Sequence, residues 1–167
     1  MMEGRPCCLV LGLGNELAGD DAVGLLVARE VRHITDADVE VVESSASGLA
    51  LIEIFAGYER AIVVDSILTG HDPPGTIREM GMDEVGRVVA PSVHQAGLPE
   101  LAAVAERLGL TFPTCTRVFA VEVVDPFTLG APLSAPVAAA IPELTHRVRD
   151  LLVCWALQEE PCTTTMR

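Results

Sequence analysis

Short apolar runs closed by glycine, acid or proline alternate along this chain with stretches whose apolar residues recur every three or four positions. The first pattern predicts buried strands, the second helices with one apolar face. Cys8 to Leu11 is the first predicted strand. A helix follows from about Asp21 to His33, with Val23, Leu26, Val27 and Val31 on one stripe. Val39 to Glu43 is a second strand, half exposed because it carries Glu40 and Glu43. Ser47 is placed to cap a helix holding Leu51, Ile52 and Phe55 and ended by Gly57. Ala61-Ile62-Val63-Val64-Asp65 is a third strand, apolar until its last residue. Gly75 to Met80 reads as a further strand, at an edge. Most of 82–95 lacks periodicity, contains Pro91 and is expected to be loop. Pro99 opens a helix through Leu101, Val104, Ala105 and Leu108. Arg117 to Val124 is the last strong strand. Ser134 then caps a final helix that runs to Trp155 and that Pro142 must kink or divide. Residues 158–167 read as a frayed tail.

Strands alternating with helices imply a mostly parallel sheet covered on both faces. The expected fold is therefore α/β: one domain over residues 1–157, with a twisted, mostly parallel sheet of about five strands and helices on both sides. A length of 167 residues suffices for one such core.

The turn after the first strand, Gly12-Leu13-Gly14-Asn15-Glu16-Leu17-Ala18-Gly19-Asp20-Asp21, carries most of the candidate chemistry. It is not a dinucleotide loop. The third glycine of that motif falls on Leu17, and two carboxylates occupy the helix mouth where a pyrophosphate would need bare N–H groups. Asp20 is a good N-cap, so taken alone the pair also fits ordinary helix capping. Aspartates held ionised at a helix start equally suit a cation.

A formal net charge of −13 argues against nucleic acid and anionic membrane as partners, since both require clustered Lys and Arg. Five cysteines, odd in number and without C-x-x-C, argue against a disulfide framework or a thiolate zinc site. The first apolar run is short and broken by Gly14, Asn15 and Glu16, which argues against a signal peptide, and no stretch is long enough to span a membrane. A cytoplasmic, monomeric protein is expected.

Ligands of an open parallel sheet bind beyond the C-terminal ends of its strands. Asp21 follows the first strand, Asp65 closes the third, and His94 precedes a helix, which places all three at that edge. Asp65 could instead simply turn the chain, and a loop histidine is commonly just solvated. Together, two carboxylates and an imidazole form an N/O set suited to a borderline divalent ion, with a position left open for water or substrate. Asn15 fits a turn-stabilising role, and His33, His71 and His146 are assigned to no site.

The motif Gly12-x-Gly14-Asn15-x-x-x-x-Asp20-Asp21-x-x-Gly24, then Val64-Asp65, His94, Asp125-Pro126, Gly130 and Leu133-Ser134, resembles the [NiFe]-hydrogenase maturation protease family. Ala22 departs from it, standing where the family often has glycine. The resemblance implies an endopeptidase that removes a C-terminal extension from the nickel-loaded precursor of a hydrogenase large subunit. It assigns Asp21, Asp65 and His94 both the catalytic and the metal-contacting role. The cofactor it implies is nickel held by the precursor, so the free enzyme need not hold any. Two other classes compete: a non-catalytic chaperone binding the nickel-loaded precursor, and a phosphate- or nucleotide-handling enzyme. The latter should show an uncluttered glycine loop and a basic residue, and neither is visible near Asp20.

Overall fold

The computed structural model describes residues 7–36, 38–85, 87, 94 and 97–157. Five strands form one sheet: β1 (Cys8–Leu13), β2 (Val39–Ser44), β3 (Arg60–Ile67), β4 (Ile77–Gly81) and β5 (Cys115–Glu122). Their order is β2-β1-β3-β5-β4. The first four of that order are parallel, and β4 runs antiparallel to β5 at the edge. The helices are α1 (Val23–Arg32), α2 (Leu51–Phe55), α3 (Met82–Val85), α4 (Leu98–Arg107) and α5 (Ala135–Leu157). The α/β fold with a five-stranded, mostly parallel sheet is as expected from the pattern.

Alternation along the central strands sends successive side chains to opposite faces. Val10, Ile62, Val64 and Phe119 pack with α1 and α5, through Val27, Val31, Leu144, Val148 and Trp155. Leu9, Leu11, Val63 and Val118 pack on the other face with α2 and α4, through Leu51, Phe55, Leu98 and Leu101. Each face thus has its own apolar cluster, and helices cover both.

Helix α1 lies directly on the sheet backbone. A Cβ at Gly24 would stand 2.2 Å from the Leu13 carbonyl oxygen and 2.4 Å from that of Val64. One at Gly12 would meet the Gly24 oxygen at 2.3 Å. The motif glycines therefore set how close the helix, and the turn before it, can come to β1 and β3.

Several local expectations fail for identifiable reasons. β3 continues past Asp65 to Ile67, so Asp65 sits within the strand, paired with Ala120 of β5. Ser47 makes no side-chain cap; a 3₁₀ turn, Gly48–Ala50, leads into α2 instead. Met82–Val85 is helical rather than loop. Pro142 lies inside a helix that runs unbroken through it. It is exposed, as is Ala138 four residues earlier, so the carbonyl it leaves without a partner is on the solvent side. Cys115 is disulfide-bonded, so the odd cysteine count did not exclude a single bridge. The tail 158–167 and most of the stretch around Pro91 lie outside the described residues. Among the described residues no helix is long and apolar enough to cross a membrane.

Candidate active site

The strand order places β1 and β3 side by side, with the chain leaving β1 toward β2 on one side and leaving β3 toward β5 on the other. Such a switch point opens a crevice at the strand C-termini. Two of the three candidate residues flank it directly: Asp21 follows β1, and Asp65 lies on β3.

Asp20 and Asp21 sit in a 3₁₀ turn, Gly19–Ala22, ahead of α1. Successive side chains in such a turn diverge by about 120°. Asp20 is 2% exposed and points to the loop after β5. Its Oδ2 accepts from the Val124 N–H at 3.0 Å and the Ser134 hydroxyl at 2.9 Å, and its Oδ1 accepts from the Ser134 N–H at 2.6 Å. The Asp125 N–H adds a longer contact at 3.5 Å. Asp20 is therefore not the helix cap expected of it, and the Ser134 hydroxyl is directed to Asp20. The carboxylate joins the loop after β1 to the loop after β5.

Asp21 turns to the crevice. Its Oδ1 accepts the Ser66 hydroxyl at 2.6 Å, and its Oδ2 lies 3.4 Å from His94 Nε2. Burial alone would raise the Asp21 carboxyl, but hydrogen bonds from His94 and Ser66 and the nearby imidazole charge outweigh it and hold the group below its ordinary value. His94 is shifted the other way. The bond to Asp21 raises it, desolvation opposes this, and the Asp65 charge and the Ala46 carbonyl support the rise. His94 Nδ1 lies 3.2 Å from the Ala46 carbonyl oxygen. A carbonyl only accepts, so Nδ1 carries a proton there and Nε2 is the atom aimed at the crevice.

Asp65 is fully buried, and its Oδ1 accepts the Ser66 N–H at 2.8 Å. Ser66 thus touches both carboxylates, through its hydroxyl and its backbone. One ligand atom from each of Asp21, Asp65 and His94 falls within 4.8 Å of the others. All three side chains assigned from sequence therefore meet in one place. That donor set suits a divalent ion of intermediate softness, since each member is a carboxylate oxygen or an imidazole nitrogen.

A cleft of about 480 Å³ opens over this cluster. Asp21, Ser66 and His94 are at its polar end; Leu68, Phe127 and Leu129 line the apolar side. Asn15 also lines it, but its Oδ1 accepts the Leu17 N–H at 3.0 Å, which is the turn-stabilising role expected. His33, His71 and His146 are exposed and outside the cluster.

Sequence reasoning missed Ser66, the Ala46 carbonyl and the true partners of Asp20. Only Ser66 left a signal, as a hydroxyl residue directly after an acid in an apolar strand.

The sequence profile described as hydrogenase maturation protease matches residues 26–150. The hydrogenase 2 maturation protease of Escherichia coli (strain K12) is 32% identical over 97 residues, which cover 56% of this chain. The match spans 59% of that relative's own length. The solved structure of the hydrogenase maturating endopeptidase HybD of E. coli superposes with a TM-score of 0.75 at 26% identity, over 87% of this chain and 91% of that one. The [NiFe] hydrogenase maturation protease HybD of Thermococcus kodakarensis gives 0.66 at 28% identity, over 86% and 97%.

Proposed function

The chain belongs to the hydrogenase maturation protease family, and on that premise we propose that it is an endopeptidase acting on the nickel-loaded precursor of a [NiFe]-hydrogenase large subunit. The observation that carries the reading is the convergence of Asp21, Asp65 and His94, with ligand atoms within 4.8 Å of one another at a cleft.

Nickel belongs to the substrate in this scheme. The precursor presents an ion already held by its own ligands, and the two carboxylates and Nε2 of His94 complete the coordination. A set of two carboxylates and one imidazole, without a thiolate, binds free metal weakly. It gains affinity when the ion arrives on a protein surface that docks at the same time. Discrimination between empty and loaded precursor then follows from the ion itself.

Hydrolysis adds water across the scissile amide, yielding a new carboxylate and a new amine. A nickel-bound water loses its proton more readily than bulk water, and a nickel-bound carbonyl is more electrophilic. A carboxylate left off the metal can take the water's proton as general base. Both routes use the same three side chains. The chain's own contribution is to hold them: Ser66 fixes Asp21, the Ala46 carbonyl fixes the histidine tautomer, and β3 fixes Asp65.

The test incubates the protein with metal-free precursor, with nickel-loaded precursor, and with metal-free precursor after the protein was preincubated with nickel and desalted. Intact-mass spectrometry should show loss of a C-terminal fragment only in the second sample. Cutting in the first, with nickel rigorously excluded, would overturn nickel sensing. A stable complex with loaded precursor and no mass loss would identify the non-catalytic chaperone instead.

A further inference from the structure

Leu17, Phe127 and Leu129 are 68%, 67% and 69% exposed. They are not scattered. Phe127 and Leu129 line the cleft, and Leu17 is tied by its backbone to the residue after Leu129, its carbonyl oxygen accepting the Gly130 N–H at 2.8 Å. Leu68, at the end of β3, extends the same wall.

These residues are also held in place. The Asp125 carboxylate accepts the N–H groups of Phe127 and Thr128 at 2.9 and 3.0 Å, which fixes the turn that presents Phe127. The buried Asp20 bonds described above fasten the two ends of that loop to the turn before α1. Apolar side chains that simply lacked a place in the core would not need such support. Fixed, exposed, and contiguous with a cleft that ends on a metal-ligand set, they form a surface built to receive apolar groups.

We infer that Leu17, Phe127 and Leu129 form the docking wall for the precursor segment that flanks the scissile bond, and that this segment meets them with apolar side chains. The inference rests on the proposed function above. It commits the specificity of the cleft to two ends of different chemistry: the ion at the acid–imidazole end, and apolar peptide at the Phe127 end. A net charge of −13 disfavours an acidic segment at the same place.

The test uses Phe127→Ser/Leu129→Ser and Leu17→Ser against nickel-loaded precursor. Each position is exposed, so melting temperature should stay within a degree or two of wild type. Burial of one such side chain is worth about a tenfold change in affinity or more. The double variant should show at least a tenfold rise in KM with kcat within about twofold, and the same weakening of precursor binding by biolayer interferometry. Precursors whose apolar residues next to the cut are replaced by serine should show the same rise with wild-type protein and little further rise with the double variant. Unchanged KM and unchanged binding, where wild-type protein cuts normally, overturn the docking wall and leave the peptidase reading standing. Binding that weakens tenfold, where wild type binds but never cuts, supports the wall and refutes the peptidase. Wild type that neither binds nor cuts refutes both. Sedimentation velocity separates the remaining occupant: a wild-type dimer that the double variant breaks, with KM unchanged, assigns the surface to a second copy of this chain and overturns the inference.

Discussion

Asp20 and Asp21 are adjacent, both buried and carried on the same turn, yet they belong to two different regions. Asp20 has four donors around its two oxygens, all from the segment between Val124 and Ser134. A carboxylate has about four lone-pair sites, so this one is saturated by the scaffold. Asp21 has two fixed donors, the Ser66 hydroxyl and the Asn15 backbone N–H, and otherwise only a long contact to an imidazole that is itself a potential ligand. The lesson is that burial of an acid does not identify its role; the supply of fixed donors does. A saturated carboxylate belongs to the architecture. One paired with a displaceable group remains available to a cation.

The strongest way to break that distinction is to exchange the two outcomes. Asp21→Asn or His94→Ala should abolish processing of nickel-loaded precursor, a loss of at least a thousandfold or about 4 kcal/mol of transition-state stabilisation. Circular dichroism should stay native, because neither residue belongs to the apolar clusters on the two faces of the sheet. Near-normal cutting by a folded Asp21→Asn variant would place this acid with the scaffold after all. Asp20→Ala should do the reverse. It leaves the N–H groups of Val124 and Ser134 without their acceptor, at a cost of about 3 kcal/mol. In a chain of this size that lowers the melting temperature by roughly 6–12 °C. The folded fraction should still cut, with a raised KM because the Phe127 loop has lost its fastening.

Much of this was legible beforehand. β1 and β3 are continuous apolar runs, and their neighbours alternate with helical stripes, so the layered sheet follows from period alone. The convergence of Asp21, Asp65 and His94 was legible from their positions after strands or before helices, sharpened by the family resemblance. What escaped was non-local or geometric. The partners of Asp20 lie 104 to 114 residues downstream, and nothing at Asp20 itself marks them. The extension of β3 past Asp65 depends on pairing with β5, which carries the ladder two residues further than hydrophobicity does. Pro142 does not divide α5, because it lies on the exposed side of the helix, where the missing hydrogen bond is open to water.

Ser66 bonds Asp21 through its hydroxyl and Asp65 through its backbone N–H. Ser66→Ala removes one hydrogen bond to a charged group, so stability should fall by about 1–2 kcal/mol. Asp21 should lose its orientation, and kcat should drop about tenfold with KM little changed. Ser66→Thr, which keeps the hydroxyl, should recover much of the rate; equal loss in both variants would point to packing.

The smallest effect concerns pH. His94 is raised in the folded state, so its contribution is full below the ordinary imidazole value of about 6.5 and is lost as pH climbs through the folded value. Asp21 is lowered, so its contribution is present above the ordinary carboxyl value and is lost only as pH falls through the depressed one. The stability gap between wild type and Asp21→Asn should therefore be wider at pH 5.5 than at pH 8.5. Asp65 still faces the imidazole in the variant, so the slope should shrink without vanishing. Equal gaps at both values would remove the pairing.

The bond between Ser134 and Asp20 spans 114 positions of sequence. A ribosome delivers the acidic turn early and its fastening only after four-fifths of the chain has emerged. Until then the Phe127 side of the cleft does not exist, and Asp20 has water in place of its backbone and hydroxyl donors. The cleft is thus assembled by the last third of the polypeptide, and a nascent or C-terminally truncated chain that has already paired β1 with β3 would carry the acids without the wall. Under the proposed function, competence to handle a precursor then arrives with closure of the contact between Ser134 and Asp20.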